Sequence, residues 1–170
     1  MAKENKKSKE GFTIIEVVLV LAIAGLIFLM VFVALPALRR GQRDTQRRDD
    51  MARFASQLSQ YQANNNGRVP GENDPTADDY NDFIEDYLKV GGDTFTDPSG
   101  TDYTVVSIIT CATGDKGCEN ASEATDYDNG YIRVYTNATC NGEDPVFSSG
   151  KRKIAFTYKL EGAGIYCGSI

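Results

Sequence analysis

From Val17 to Leu38 the chain runs for 22 residues without a charged side chain. On an α-helix, at about 1.5 Å per residue, such a segment reaches about 33 Å, enough to cross a bilayer core of about 30 Å. One carboxylate, Glu16, stands immediately before the run. A carboxylate at the edge of an apolar helix is costly unless it is neutralised or paired, which makes Glu16 a candidate functional residue. Ahead of it lies a polar tail, 1–10, carrying Lys3, Lys6, Lys7 and Lys9 and no periodic apolar face. It reads as a targeting leader rather than folded structure.

The order of these parts is specific. A basic leader, Gly11, Phe12, Glu16 as the fifth residue counted from Phe12, and then the apolar run together resemble the N-terminal signature of type IV pilins and pseudopilins. The resemblance covers 11–64, and the remainder matches only in layout. It implies cleavage by a prepilin peptidase between Gly11 and Phe12 and N-methylation of Phe12. It also implies that Glu16 pairs with the N-terminal amine of a neighbouring subunit and sets the stagger of a filament. An ordinary secretory signal would instead be cut after its apolar segment. The implied function is a structural subunit polymerised into an extracellular helical pilus, with further copies of itself, the pilus assembly machinery and, before assembly, membrane lipid as partners. The implied location is the cytoplasmic membrane as a single-pass precursor, then the cell surface. The alternatives are a pseudopilin of a type II secretion or DNA-uptake system, and a signal-anchored surface protein that never polymerises.

Composition narrows the chemistry. The net charge is −6, and removing 1–11 leaves 14 basic and 22 acidic residues, a charge of −8. Such an acidic chain is a poor general binder of nucleic acid phosphates. Histidine is absent, which excludes Ser-His and Cys-His catalysis and imidazole ligands, so neither an enzyme nor a cofactor is expected. The cysteines Cys111, Cys118, Cys140 and Cys167 lack the close C-x₂₋₄-C pairs of zinc sites. Disulfides in an extracytoplasmic domain are the better reading. Of three possible connectivities, Cys111–Cys118 and Cys140–Cys167 fit best: the first staples a loop after a strand, and the second anchors the C-terminal tail. The segment Asp126-Tyr-Asp128-Asn-Gly130 resembles part of a calcium loop, but the spacing and the closing Glu are missing. Asp126 and Asp128 are therefore weak metal candidates, and a solvated acidic loop is the plainer reading.

The helix is expected to continue past Pro36, with a kink or local loosening there, to Asn64, where Gly67 and Pro70 end it. Met51, Phe54, Leu58 and Tyr61 recur on one face of this second half. Arg39, Arg43 and Arg47 form a stripe of like charge at four-residue spacing. With Asp44 and Asp49 on other faces, the stripe is expected to need carboxylates from neighbouring stalks and so to serve filament assembly with Glu16. These arginines follow the apolar run closely, and the positive-inside rule alone would place the C-terminal domain inside the cell. The cysteines and the topology implied by the resemblance outweigh it.

The remainder reads as a head: a helix over 75–88, then 95–103 (FTDPSGTDY), which resembles a turn found in many pseudopilins and is sound turn chemistry by itself. Strands are expected at 103–111, 131–140 and 153–160, with a short edge at 165–167. Glycine-rich links at 142–150 and 162–164 suit an antiparallel meander. The organisation expected is a leader 1–11, a long helix 12–64 whose part 12–38 is transmembrane and filament core, and a head 65–170. The fold class is α+β, a long N-terminal helix packed on a small antiparallel sheet.

Overall fold

The structure is a computed structural model that describes residues 11–71, 76–114, 118, 130–150, 152–162 and 164–170. Its leader segment and the calcium-like acids Asp126 and Asp128 lie outside the described residues. Two compact units are present, Met1–Arg39 and Arg40–Ile170. One helix, α1 (Ile14–Asn64), supplies nearly all of the described part of the first and opens the second. The helical assignment runs through Pro36 without a break. A proline inside a helix removes one hydrogen bond, and the local loss expected at this position is not observed.

Among the described residues of the second unit, α1 is followed by α2 (Ala77–Tyr87), a short 3₁₀ turn (Val90–Gly92) and six strands. The strands are β1 (Thr104–Thr110), β2 (Tyr131–Thr136), β3 (Ala138–Asn141), β4 (Asp144–Phe147), β5 (Ile154–Lys159) and β6 (Ile165–Ser169). The fold is α+β, with the long helix packed on an antiparallel-rich sheet. Helix α2 starts where Thr76 and Asp79 cap each other: the Thr76 N–H donates to Asp79 Oδ2 (2.8 Å), and the Asp79 N–H to Thr76 Oγ1 (3.3 Å). This reciprocal box satisfies two otherwise orphaned donors. Helix α2 buries Tyr80, Phe83 and Ile84 and turns its aspartates outward.

The main sheet has the order β1-β2-β5-β6, and β3 and β4 pair separately as a hairpin. Three differences from the sequence reading concern connection. Strand β1 runs parallel to β2, so the sheet is not a simple antiparallel meander. The expected strand 131–140 is two strands, broken at Asn137, whose φ of 56° takes the chain out of the pleat. The expected link 142–150 itself contains β4, because Gly142 (φ 68°) closes a tight turn between β3 and β4.

Alternate side chains of the central strands face two cores. Val134, Ile154, Phe156 and Tyr158 join Met51, Phe54 and Leu58 of α1, with Tyr61 at the margin. Phe54 is the hub, its ring centroid 5.0 Å from that of Phe156 and 5.7 Å from that of Phe83, both edge-on. Tyr135 and Ala155 face the other way, with Ala138, Cys111 and Cys118. Cys111 is bonded to Cys118, and Cys140 to Cys167, which ties the β3–β4 hairpin to β6. At the free side of β1, the Asn81 amide meets both backbone groups of Val105: the Val105 N–H donates to Oδ1 (2.8 Å), and Nδ2 donates to the Val105 carbonyl (3.2 Å).

Gly168 on β6 is required by packing, because a Cβ there would lie 2.3 Å from Cζ of Phe156. Gly168→Ala is expected to cost about 1–3 kcal/mol through overpacking. Thermal unfolding of the detergent-solubilised chain measures it, and an unchanged midpoint would contradict this account of the glycine.

Candidate functional site: the helix N-terminus and the helix clasp

The first described helical turn is closed by its own side chains. Thr13 stands at the cap, and Glu16 Oε2 accepts from the Thr13 N–H (2.9 Å) and from Thr13 Oγ1 (2.8 Å). The Glu16 N–H lies 3.4 Å from Thr13 Oγ1 in return. Threonine followed three residues later by glutamate is a capping box, and a carboxylate at this end of a helix also meets the positive end of its dipole. Glu16 is thus hydrogen-bonded within its own chain, while Phe12 beside it is 90 % exposed. Every large apolar side chain from Val17 to Leu38 is exposed as well. None of the most apolar 18-residue stretch is buried in the structure, and the helix is long and apolar enough to cross a membrane.

Residues 6–32 match the family model described as the prokaryotic N-terminal methylation motif, the signature of type IV prepilins and pseudopilins. The chain carries that signature. The match places Gly11, Phe12 and Glu16 within the prepilin motif and supports processing by a prepilin peptidase and a membrane-anchored precursor. No curated protein and no solved structure matches the chain significantly.

Beyond the prepilin motif, the arginine stripe has an outcome that helix-neighbour reasoning does not reach. Arg47 is fully buried. Its Nε donates to Asp97 Oδ2 (2.6 Å) and its Nη2 to Asp97 Oδ1 (3.0 Å), the two-pronged geometry that suits a guanidinium. Its Nη1 donates to Asp44 Oδ1 (3.0 Å). Tyr158 donates to Asp97 Oδ2 (2.6 Å), and the Ser99 N–H to Oδ1 (2.8 Å), so every strong lone pair of the buried acid is engaged. Burial pushes the Asp97 carboxyl up, but the bonds from Arg47, Ser99 and Tyr158 outweigh it and hold the group well below the usual carboxylate range. Burial and the bond to Asp97 push the Tyr158 hydroxyl up.

One turn earlier, Arg43 Nε donates to Glu161 Oε2 (2.6 Å). Glu161 lies in the β5–β6 turn, whose backbone returns the contact: the N–H groups of Glu161 and Gly162 each donate to the Asp44 carboxylate at 2.7 Å. Helix and turn thus hold each other by reciprocal charge, a clasp. A Cβ on Gly162 would lie 2.8 Å from Asp44 Oδ2, so glycine is needed for this approach. Burial works against the Asp44 carboxylate, yet those two N–H groups and Arg47 hold its pKa below the ordinary value.

The stripe was expected to need carboxylates from neighbouring stalks, whereas Arg43 and Arg47 find carboxylates within their own chain. Apart from Asp44, three residues before Arg47, these acids lie 118 and 50 residues away in sequence, beyond any helical spacing rule. Arg39 alone of the stripe is exposed and without a partner among the described residues. The sequence carried one signal for this arrangement, the Asp97-Pro98 turn. Its form is as read, with the Gly100 N–H donating to the Asp97 carbonyl (2.7 Å) and φ of 92° at Gly100. Among the described residues, no group of three or more His, Cys, Asp or Glu side chains is placed to hold a metal ion.

Proposed function

We propose that the protein is a type IV pilin-like structural subunit, cut between Gly11 and Phe12, methylated at Phe12 and polymerised into an extracellular helical filament. The observation that carries the reading is the prepilin motif joined to a helix whose large apolar side chains, from Val17 to Leu38, are exposed. Lipid covers them before assembly and the helices of other copies afterwards. Glu16 then exchanges its internal bond with Thr13 for the amine of a neighbouring Phe12, a charged donor that offsets burial better than a hydroxyl can. Of the helix residues expected to serve assembly, Glu16 and Arg39 are open to a neighbour. Arg43 and Arg47 act inside their own subunit.

Intact-mass measurement of the membrane protein tests the processing step. The expected species begins at N-methylated Phe12. A chain still beginning at Met1 in cells with an active prepilin peptidase would refute the reading. The abundance of the protein in sheared surface filaments then separates a pilus subunit from a pseudopilin and from an anchored surface protein.

A further inference from the structure

On the surface of α1, Asp44 is four residues from both Arg40 and Arg48, the spacing at which a helical carboxylate and arginine pair. Its oxygens are taken instead by the N–H groups of Glu161 and Gly162 and by Arg47. Arg40 and Arg48 are left exposed, and among the described residues neither has an ionic or hydrogen-bonding partner for its side chain. They are eight residues apart, about 12 Å along the axis. The outer face of α2 presents the same spacing with the opposite sign. Asp78 and Asp86 are also eight residues apart, Asp82 lies between them, and all three are exposed with no side-chain partner among the described residues. Equal separation in sequence gives equal offset around and along both helices, so the two charge patterns can meet in register.

We propose that the Arg40–Arg48 strip of α1 docks against the Asp78–Asp82–Asp86 face of α2 in a second copy of this chain. The inference rests on the filament reading and names a contact within it. The two surfaces differ, so each copy offers one and receives the other. A heterologous contact of this kind propagates into an open helical array when its rotation does not close. It also gives a subunit of net charge −8 after removal of 1–11 a local attraction against its overall self-repulsion.

The test uses the full chain, expressed with its peptidase and assembly machinery, and reads sheared-filament yield per processed subunit in the membrane. The double reversal R40E/R48E is expected to lower the yield at least tenfold, as is D78K/D82K/D86K. The chain carrying all five changes is expected to recover to within threefold of the parent. Normal yield from either reversal, or no recovery in the combined chain, overturns the docking. So does loss from the arginine reversal alone, which would assign the strip to anionic lipid headgroups. A second measurement separates this proposal from the filament reading. Co-expressed with R48C chains, one of D78C and D86C, the two ends that can face Arg48 in register, is expected to form a disulfide-linked pair. If the parent makes no filaments, the filament reading falls while the linked pair still decides the contact, and its absence overturns the docking.

Discussion

Arg47→Ala is expected to destabilise the protein by about 3–5 kcal/mol, because it strands a buried carboxylate without its counter-charge. Asp97 is 2 % exposed and would keep only the Ser99 N–H and the Tyr158 hydroxyl. Arg47→Lys is expected to lose part of this, since an ammonium cannot reproduce the two-pronged contact with Asp97. Chemical denaturation of the detergent-solubilised chain measures both, and a loss under about 1 kcal/mol for the alanine variant would show that the pair contributes no more than a surface bridge. The pH dependence has a definite sign. Asp97, Asp44 and Glu161 all titrate below their ordinary values in the folded chain. Their contribution is therefore complete above the unfolded carboxylate range of about 3.9–4.3 and is lost as the pH falls through the lower folded values. The Arg47→Ala variant should show a flatter acid limb than the parent.

Removing the Cys140–Cys167 bond by a double serine substitution is expected to cost about 3.5 kcal/mol, against about 2.4 for Cys111–Cys118, from the chain entropy each closes in the unfolded state. The difference follows from their separations of 27 and 7 residues. The longer bridge also has the larger structural consequence, because it fastens the β3–β4 hairpin over the second core. Amide exchange in β3 and β4 is expected to rise in the C140S/C167S chain while β1 and β2 stay protected. Equal losses from the two bridges would contradict the loop-length account.

What was legible in the sequence was local. The apolar run, the prepilin motif, the face of Met51, Phe54 and Leu58, and the alternation of Ile154, Phe156 and Tyr158 all obey short periodicities, and each appears where its period puts it. Strand partners were less accessible, because the parallel pairing of β1 with β2 joins segments far apart in sequence, which no local period reports. Asn137 concealed a break for a related reason: one residue at positive φ divides a β-branched run that otherwise reads as continuous. The ion pairs of Arg43 and Arg47 were beyond reach, since helical spacing brings only near neighbours into view. Asp44, placed by helical spacing on another face, in fact bonds Arg47 together with the amides of a distant turn.

The Asn81 amide on Val105 has a consequence for how copies of the chain can associate. A bare strand margin is a template on which another polypeptide can add itself backbone to backbone, and proteins held at high density in a membrane sheet meet one another often. At Val105 that template is already filled, donor for acceptor, by a side chain that imitates the missing strand. Copies crowded side by side are thereby steered away from amyloid-like joining at this point and toward ordered contacts between helices. The residue that closes the margin sits on α2, the helix that also carries the exposed Asp78, Asp82 and Asp86, so one short element both closes a strand margin and offers the face proposed to meet another copy.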